Sequence, residues 1–116
     1  MHSLENAQYL LRHPEQTNAF QLRVLQKTLD EFDRHLARSG GSVLDVGCGT
    51  GYLYLPLMER GYSMTGVDIS DTLIDVLQEK IPEGDKNRCR LVTDDIEGFL
   101  ENDASTYDGI VCSALL

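Results

Sequence analysis

The sequence predicts an α/β fold, a three-layer sandwich in which a parallel sheet carries helices on both faces. Three observations carry this. From Ser42 onward, four short apolar, β-branched runs alternate with segments of helical periodicity. Gly47, Gly49 and Gly51 follow directly on the first of those runs. Ahead of them Leu22, Leu25, Leu29, Phe32 and Leu36 recur at alternating steps of three and four, one stripe of an amphipathic helix.

Taken in order, a short helix is expected from Leu4 to Arg12, stopped by His13-Pro14. The striped helix follows, from about Gln16 to Arg38. It ends at Ser39-Gly40-Gly41, where glycine suits a left-handed cap. Residues 1–41 thus form an N-terminal helical segment, and 42–116 the α/β unit. Its first strand is "SVLDVG". A helix is expected from Tyr52 to Arg60, but Pro56 would be its fifth residue and would remove a backbone hydrogen bond, so the helix should begin late or bend. "YSMTGVD" is the second strand. Ser70 then caps a helix carrying Leu73, Ile74, Leu77 and Ile81. Pro82 to Arg88 is a polar loop, "CRLVT" a third strand, "IEGFLEN" a short helix or turn, and "YDGIVCSALL" a fourth strand running to the end.

Composition narrows the function. With 116 residues and 41% apolar content the chain is one small domain with a real core. No apolar run approaches the ~20 residues that span a bilayer, and the N-terminus lacks the pattern of a secretory signal. Cys48, Cys89 and Cys112 show no CxxC spacing, and His2, His13 and His35 form no ligand pattern, so no metal site or disulfide framework is expected. Reduced thiols in a cytoplasmic protein are the expected reading. The net charge of −9 argues against a nucleic-acid partner.

The glycines carry the chemistry. In an open α/β sheet, ligands bind beyond the carboxyl ends of the strands, and the loop after the first strand is such a place. Glycine takes positive φ cheaply and lets a ligand lie against the backbone. Dinucleotide sites read GxGxxG. Here the spacing is GxGxG, and Asp45 stands two residues before the first glycine. A carboxylate there repels a pyrophosphate and suits an amine or a positive charge. Asp68 ends the second strand about 20 residues on, where an acid can accept hydrogen bonds from ribose hydroxyls. Asp94 and Asp95 follow the third strand, and one of them is expected to face the same crevice, where it could accept from an adenine amino group.

These stretches resemble the class I S-adenosylmethionine (SAM)-dependent methyltransferases. "VLDVGCGTGYL", "MTGVDIS", "LVTDDIEGF" and "YDGIVCSALL" match four of that family's motifs in order, over Ser42 to Leu116. The resemblance implies a Rossmann-like sheet with strand order 3-2-1-4 and SAM as cofactor. It implies that Asp45 and the loop Gly47-Cys48-Gly49-Thr50-Gly51 hold the methionine part, and that Asp68 binds the ribose, with Ile69 beside it. Of the two neighbouring acids, Asp95 is assigned to the adenine because "D-I-E" matches the family pattern, with Asp94 kept as a candidate and Ile96 packing on the ring. Cys112 and Ser113 should line the cofactor near its methyl group.

Plainer roles stand beside these. Cys48 is expected as a small packed residue and Cys112 as core, and one of Asp94 and Asp95 as simply exposed. No catalytic side chain is assigned, because in-line transfer from an activated sulfonium rests on positioning. "CSALL" stands where an Asn/Asp-Pro-Pro-Tyr motif would mark the amino methyltransferases that act on adenine or glutamine amides, which leans toward a small-molecule acceptor. Two alternatives remain: a SAM- or nucleoside-binding module without catalysis, and an NAD-binding oxidoreductase domain, disfavoured by the GxGxG spacing. The family sheet has more strands than the four counted here, so the chain reads as part of a longer product. Ile110, Val111, Leu115 and Leu116 would then lie at an open sheet edge, and self-association into a homo-oligomer through the last strand is expected.

Overall fold

The computed structural model describes residues 19–36 and 41–113. The elements are α1 (Ala19–His35), β1 (Ser42–Val46), α2 (Tyr54–Glu59), β2 (Ser63–Asp68), α3 (Asp71–Lys80), a 3-10 helix (Glu83–Arg88), β3 (Cys89–Thr93), α4 (Ile96–Asn102) and β4 (Gly109–Cys112). The expected helix over Leu4–Arg12 and the Ser39-Gly40 cap lie outside the described residues, as do the outer ends of the Gln16–Arg38 helix.

The strands form one parallel sheet in the order β3-β2-β1-β4, as the family resemblance implied. β1 and β2 are central and buried along their middles, while β3 and β4 are half-exposed edges. Successive side chains of a strand point to opposite faces. Val43 and Met64 therefore join one buried cluster, with Leu25 and Leu29 of α1, the apolar residues of α2, and Ile74 and Leu77 of α3. Leu44 and Val67 join a second cluster, with Phe99 of α4. Three helices on one face and one on the other make the three layers.

The stripe on α1 is what docks it. Leu25 and Leu29 are fully buried, and Phe32 and Leu36 pack against the same cluster, each fully buried leucine contributing about 1.5–3 kcal/mol. The side chain of Leu22 is outside the description. Asp33 adds a polar anchor: it pairs with Arg60 and accepts a hydrogen bond from the Tyr62 hydroxyl at 3.0 Å. At the start of β4, a Cβ on Gly109 would sit 2.5 Å from the Phe32 ring, so a side chain there would force Phe32 to move.

One local expectation is met and another is revised. The helix expected over Tyr52–Arg60 begins late, as Pro56 predicts: it starts at Tyr54, which makes Pro56 its third residue. A first-turn N–H has no partner inside the helix, so the proline removes nothing. The stretch Pro82–Arg88, expected as a loop, winds into a 3-10 helix after Pro82. Arg88 pins its end by donating to the Asp85 carboxylate at 2.8 Å and to the Tyr62 carbonyl at 2.6 Å. "IEGFLEN" is a helix.

Candidate functional site

The carboxyl ends of β1, β2 and β3 and the loops that leave them converge on Asp68. The Val67 carbonyl accepts from the N–H groups of Gly47 (2.8 Å) and Cys48 (3.2 Å), so the glycine loop continues along β2 after β1 has ended. The Asp68 side chain then holds two loops at once. Its Oδ2 accepts from the Gly49 N–H at 2.8 Å and its Oδ1 from the Ser70 N–H at 2.9 Å. Its carbonyl accepts from the Asp94 N–H at 3.0 Å.

Gly47, Gly49 and Gly51 all adopt positive φ, at 71°, 53° and 103°. The need is sharpest at Gly51. A Cβ there would lie 2.5 Å from Leu55 Cδ1 and 2.7 Å from Leu77 Cδ1, so both the backbone angle and the packing of α2 and α3 demand glycine. Thr50 is buried. Cys48 turns its thiol inward, where it occupies the space a Cβ on Gly66 would need, and burial pushes that thiol's pKa up. It packs, as expected of it, and its backbone rather than its side chain belongs to the loop.

Asp45 is the unusual residue. It is fully buried near the end of β1, beside Gly66 of β2 and Val111 of β4. Its Oδ1 accepts from the Ser113 hydroxyl at 2.7 Å and, at a longer 3.4 Å, from the Ser113 N–H. Its Oδ2 is buried and has no hydrogen-bond partner among the described residues. Burial pushes its carboxyl up to about 7. The hydrogen bonds from Ser113 oppose that rise, and the charge of Asp68 adds to it. An unsatisfied buried carboxylate oxygen is costly and calls for a cationic or hydrogen-donating partner.

Asp94 and Asp95 sit at the start of α4. Asp95 is exposed and caps the helix, its Oδ1 accepting from the Gly98 N–H at 2.7 Å. Asp94 is half-buried; its Oδ1 accepts from the Asp95 N–H at 2.8 Å, and its carboxylate lies over Gly98. Both acids therefore stand at the crevice edge and share the work of starting α4. Ile69 is 76% exposed beside Asp68, while Ile96 packs partly against the Phe99 cluster. Cys112 is half-buried and pairs in register with Val46. The contact between Ser113 and Asp45 has no short-range signal. Only the parallel register of β1 with β4, which sets Val111 beside Asp45, brings them together.

The site is thus a glycine cradle walled by carboxylates, with no cation among the described residues that contact them. It can accept hydrogen bonds from hydroxyls and amines, and it repels phosphate. A separate cleft of about 280 Å³ opens at the amino ends of the strands, between Ser63, Thr65, Asn87 and Arg90.

A family model described as a methyltransferase domain matches residues 43–116. The ubiquinone biosynthesis O-methyltransferase of Coxiella burnetii is 39% identical over 91 residues, which cover 76% of this chain and 37% of that protein. Its counterpart from Nitrosospira multiformis is 32% identical over 88 residues, covering 76% and 36%. Among solved structures, the magnesium protoporphyrin IX methyltransferase of Synechocystis with bound SAH superposes with a TM-score of 0.63 at 26% identity, covering 83% of this chain and 46% of that one. The chain spans little more than a third of the length of the curated relatives it matches. No described helix is long and apolar enough to cross a membrane. With a matching family model over most of its length and the parallel 3-2-1-4 sheet, this chain belongs to the methyltransferase-domain family.

Proposed function

We propose that the protein is a SAM-dependent methyltransferase acting on a small-molecule acceptor, and that the carboxyl end of its sheet is the cofactor site. The observation that carries this is the buried Asp45 with an unpartnered Oδ2, next to a backbone held open by Gly47, Gly49 and Gly51. SAM brings an ammonium, a sulfonium, ribose hydroxyls and an adenine amino group, and it has no phosphate. Each suits a carboxylate wall. NAD, with its pyrophosphate, does not.

In this reading Asp45 takes the ammonium, and the backbone from Gly47 through Cys48, Gly49 and Thr50 to Gly51 lies along the amino-acid end. Asp68 accepts from the ribose hydroxyls through lone pairs left over from Gly49 and Ser70. Asp95 or Asp94 accepts from the adenine amino group, with Ile69 and Ile96 against the ring, and Cys112 and Ser113 stand near the methyl group. When bound, SAM supplies a methyl group already activated for in-line displacement. The chain's own task is to hold the methyl donor at a fixed distance and angle and to exclude water. O-methylation by the Coxiella relative supports a small acceptor bearing a hydroxyl or similar nucleophile.

The free cysteines support a cytoplasmic protein. The outer edge of β4, with Ile110 at 64% exposure, supports association between copies, which light scattering at tens of micromolar would reveal. The functional reading is tested by calorimetric titration of the chain with SAM, S-adenosylhomocysteine (SAH) and NAD. One-site binding of the first two, and none of NAD, is expected. Binding of NAD alone would overturn it.

A further inference from the structure

Asp45 has to meet two demands. It must be buried to form a cradle for an amino-acid end, and it must carry a charge to attract an ammonium. Burial alone opposes the charge. Among the described residues, the titratable or charged groups that face it are Asp68 at the end of β2, the Cys48 thiol in the glycine loop and the Tyr54 hydroxyl of α2, and none of these is a cation. Two donors do support the charged form, and both come from one residue, Ser113, just beyond β4. The short bond to Oδ1 also fixes the carboxylate's rotation, which leaves Oδ2 as the oxygen with no donor among the described residues.

We propose that Ser113 is a positioning residue for the amine subsite: its hydroxyl holds Oδ1 of Asp45 so that Oδ2 is presented, as a carboxylate, to the ammonium of the ligand. The proposal rests on the SAM reading above and assigns Ser113 a role through Asp45 that needs no contact of its own with the cofactor. Loss of the hydroxyl removes a hydrogen bond that favours ionisation, so the Asp45 carboxyl titrates higher still. Ligand binding then weakens at neutral and acid pH and recovers once the solution is alkaline enough to ionise Asp45 again.

The test is the dissociation constant of SAH for the chain and for Ser113→Ala and Ser113→Thr, measured by calorimetry across the pH range. The ratio of variant to parent constants cancels the ligand's own ionisation. For Ser113→Ala the ratio is expected to be about tenfold or more near pH 6 and to fall to within about threefold near pH 9, one unit of titration shift being tenfold in affinity. Ser113→Thr, which keeps the hydroxyl, should restore the parent profile. A ratio that stays the same at every pH, or that stays near one throughout, overturns the proposal, since packing alone would act without regard to pH. If Ser113→Ala does not fold, Ser113→Cys, a poor donor of similar size, takes its place with the same expectations. Failure of the parent chain to bind SAH at any pH would instead overturn the cofactor reading itself.

Discussion

The Asp68 carboxylate accepts from the Gly49 N–H at 2.8 Å, so the end of β2 holds the glycine loop that leaves β1. The same carboxylate accepts from Ser70 N–H, whose own hydroxyl caps α3 by accepting from Leu73. One acid thereby sets the shape of the loop and the start of the next helix, and it stands at the ribose position of the proposed site.

Asp68→Ala removes both bonds and the proposed ribose acceptor together. Affinity for SAH should fall at least tenfold, about 1.4 kcal/mol or more. An unchanged dissociation constant in a calorimetric titration would remove Asp68 from the site.

Gly51→Ala combines a left-handed backbone with a Cβ driven against Leu55 and Leu77. The backbone costs about 1–2 kcal/mol and overpacking about 1–3 kcal/mol. Urea unfolding should show a combined loss of about 2–5 kcal/mol. Gly84→Ala is the control: a Cβ there meets nothing within 4 Å, so its effect should stay within about 0.5 kcal/mol.

Asp45 should give the empty protein an unusual pH dependence. Its carboxyl is raised from 3.8 to about 7, so between those values the folded chain holds a proton that the unfolded chain has lost. Its contribution to stability therefore declines as pH rises from about 4 to 7 and levels off above that. Asp45→Asn should remove this decline while abolishing SAH binding. Parallel stability curves for the two proteins over that window would contradict the assignment.

Asp103 acts with the opposite sign. Its carboxylate accepts from the Tyr107 hydroxyl at 2.6 Å, from Arg90 at 3.0 Å and from Ser105 at 3.0 Å, and these hold it down at about 2. The stability it contributes is complete above about pH 4 and is lost as pH falls toward 2. Asp103→Asn should flatten that acid limb in thermal melts, and an unaltered limb would count against the cluster.

Much of this was legible in the sequence because it is local. Strand alternation, the Ser70 cap and the stripe Leu25, Leu29, Phe32 are short-range patterns, and each appears in the fold. The parallel order came from the family resemblance, and the register that joins Ser113 to Asp45 came from neither source, because it depends on strands far apart in the chain. The late start of α2 was legible too, because Pro56 is tolerated only in the first turn of a helix. The 3-10 helix after Pro82 was hidden by its polarity: Arg88 anchors it through charge and a carbonyl, with no buried apolar side chain to mark it. At the start of α4, capping explains why both Asp94 and Asp95 are acids, and it serves folding whether or not either meets an adenine.

The most direct test of the central claim is which end of the sheet responds to ligand. Amide NMR spectra of the chain should be recorded with and without SAH. The account predicts shifts concentrated in Gly47–Gly51, Asp68–Ser70 and Asp94–Ile96, the three loops at the carboxyl ends of β1, β2 and β3. Shifts confined to Ser63–Thr65 and Asn87–Arg90, around the cleft at the amino ends, would contradict it.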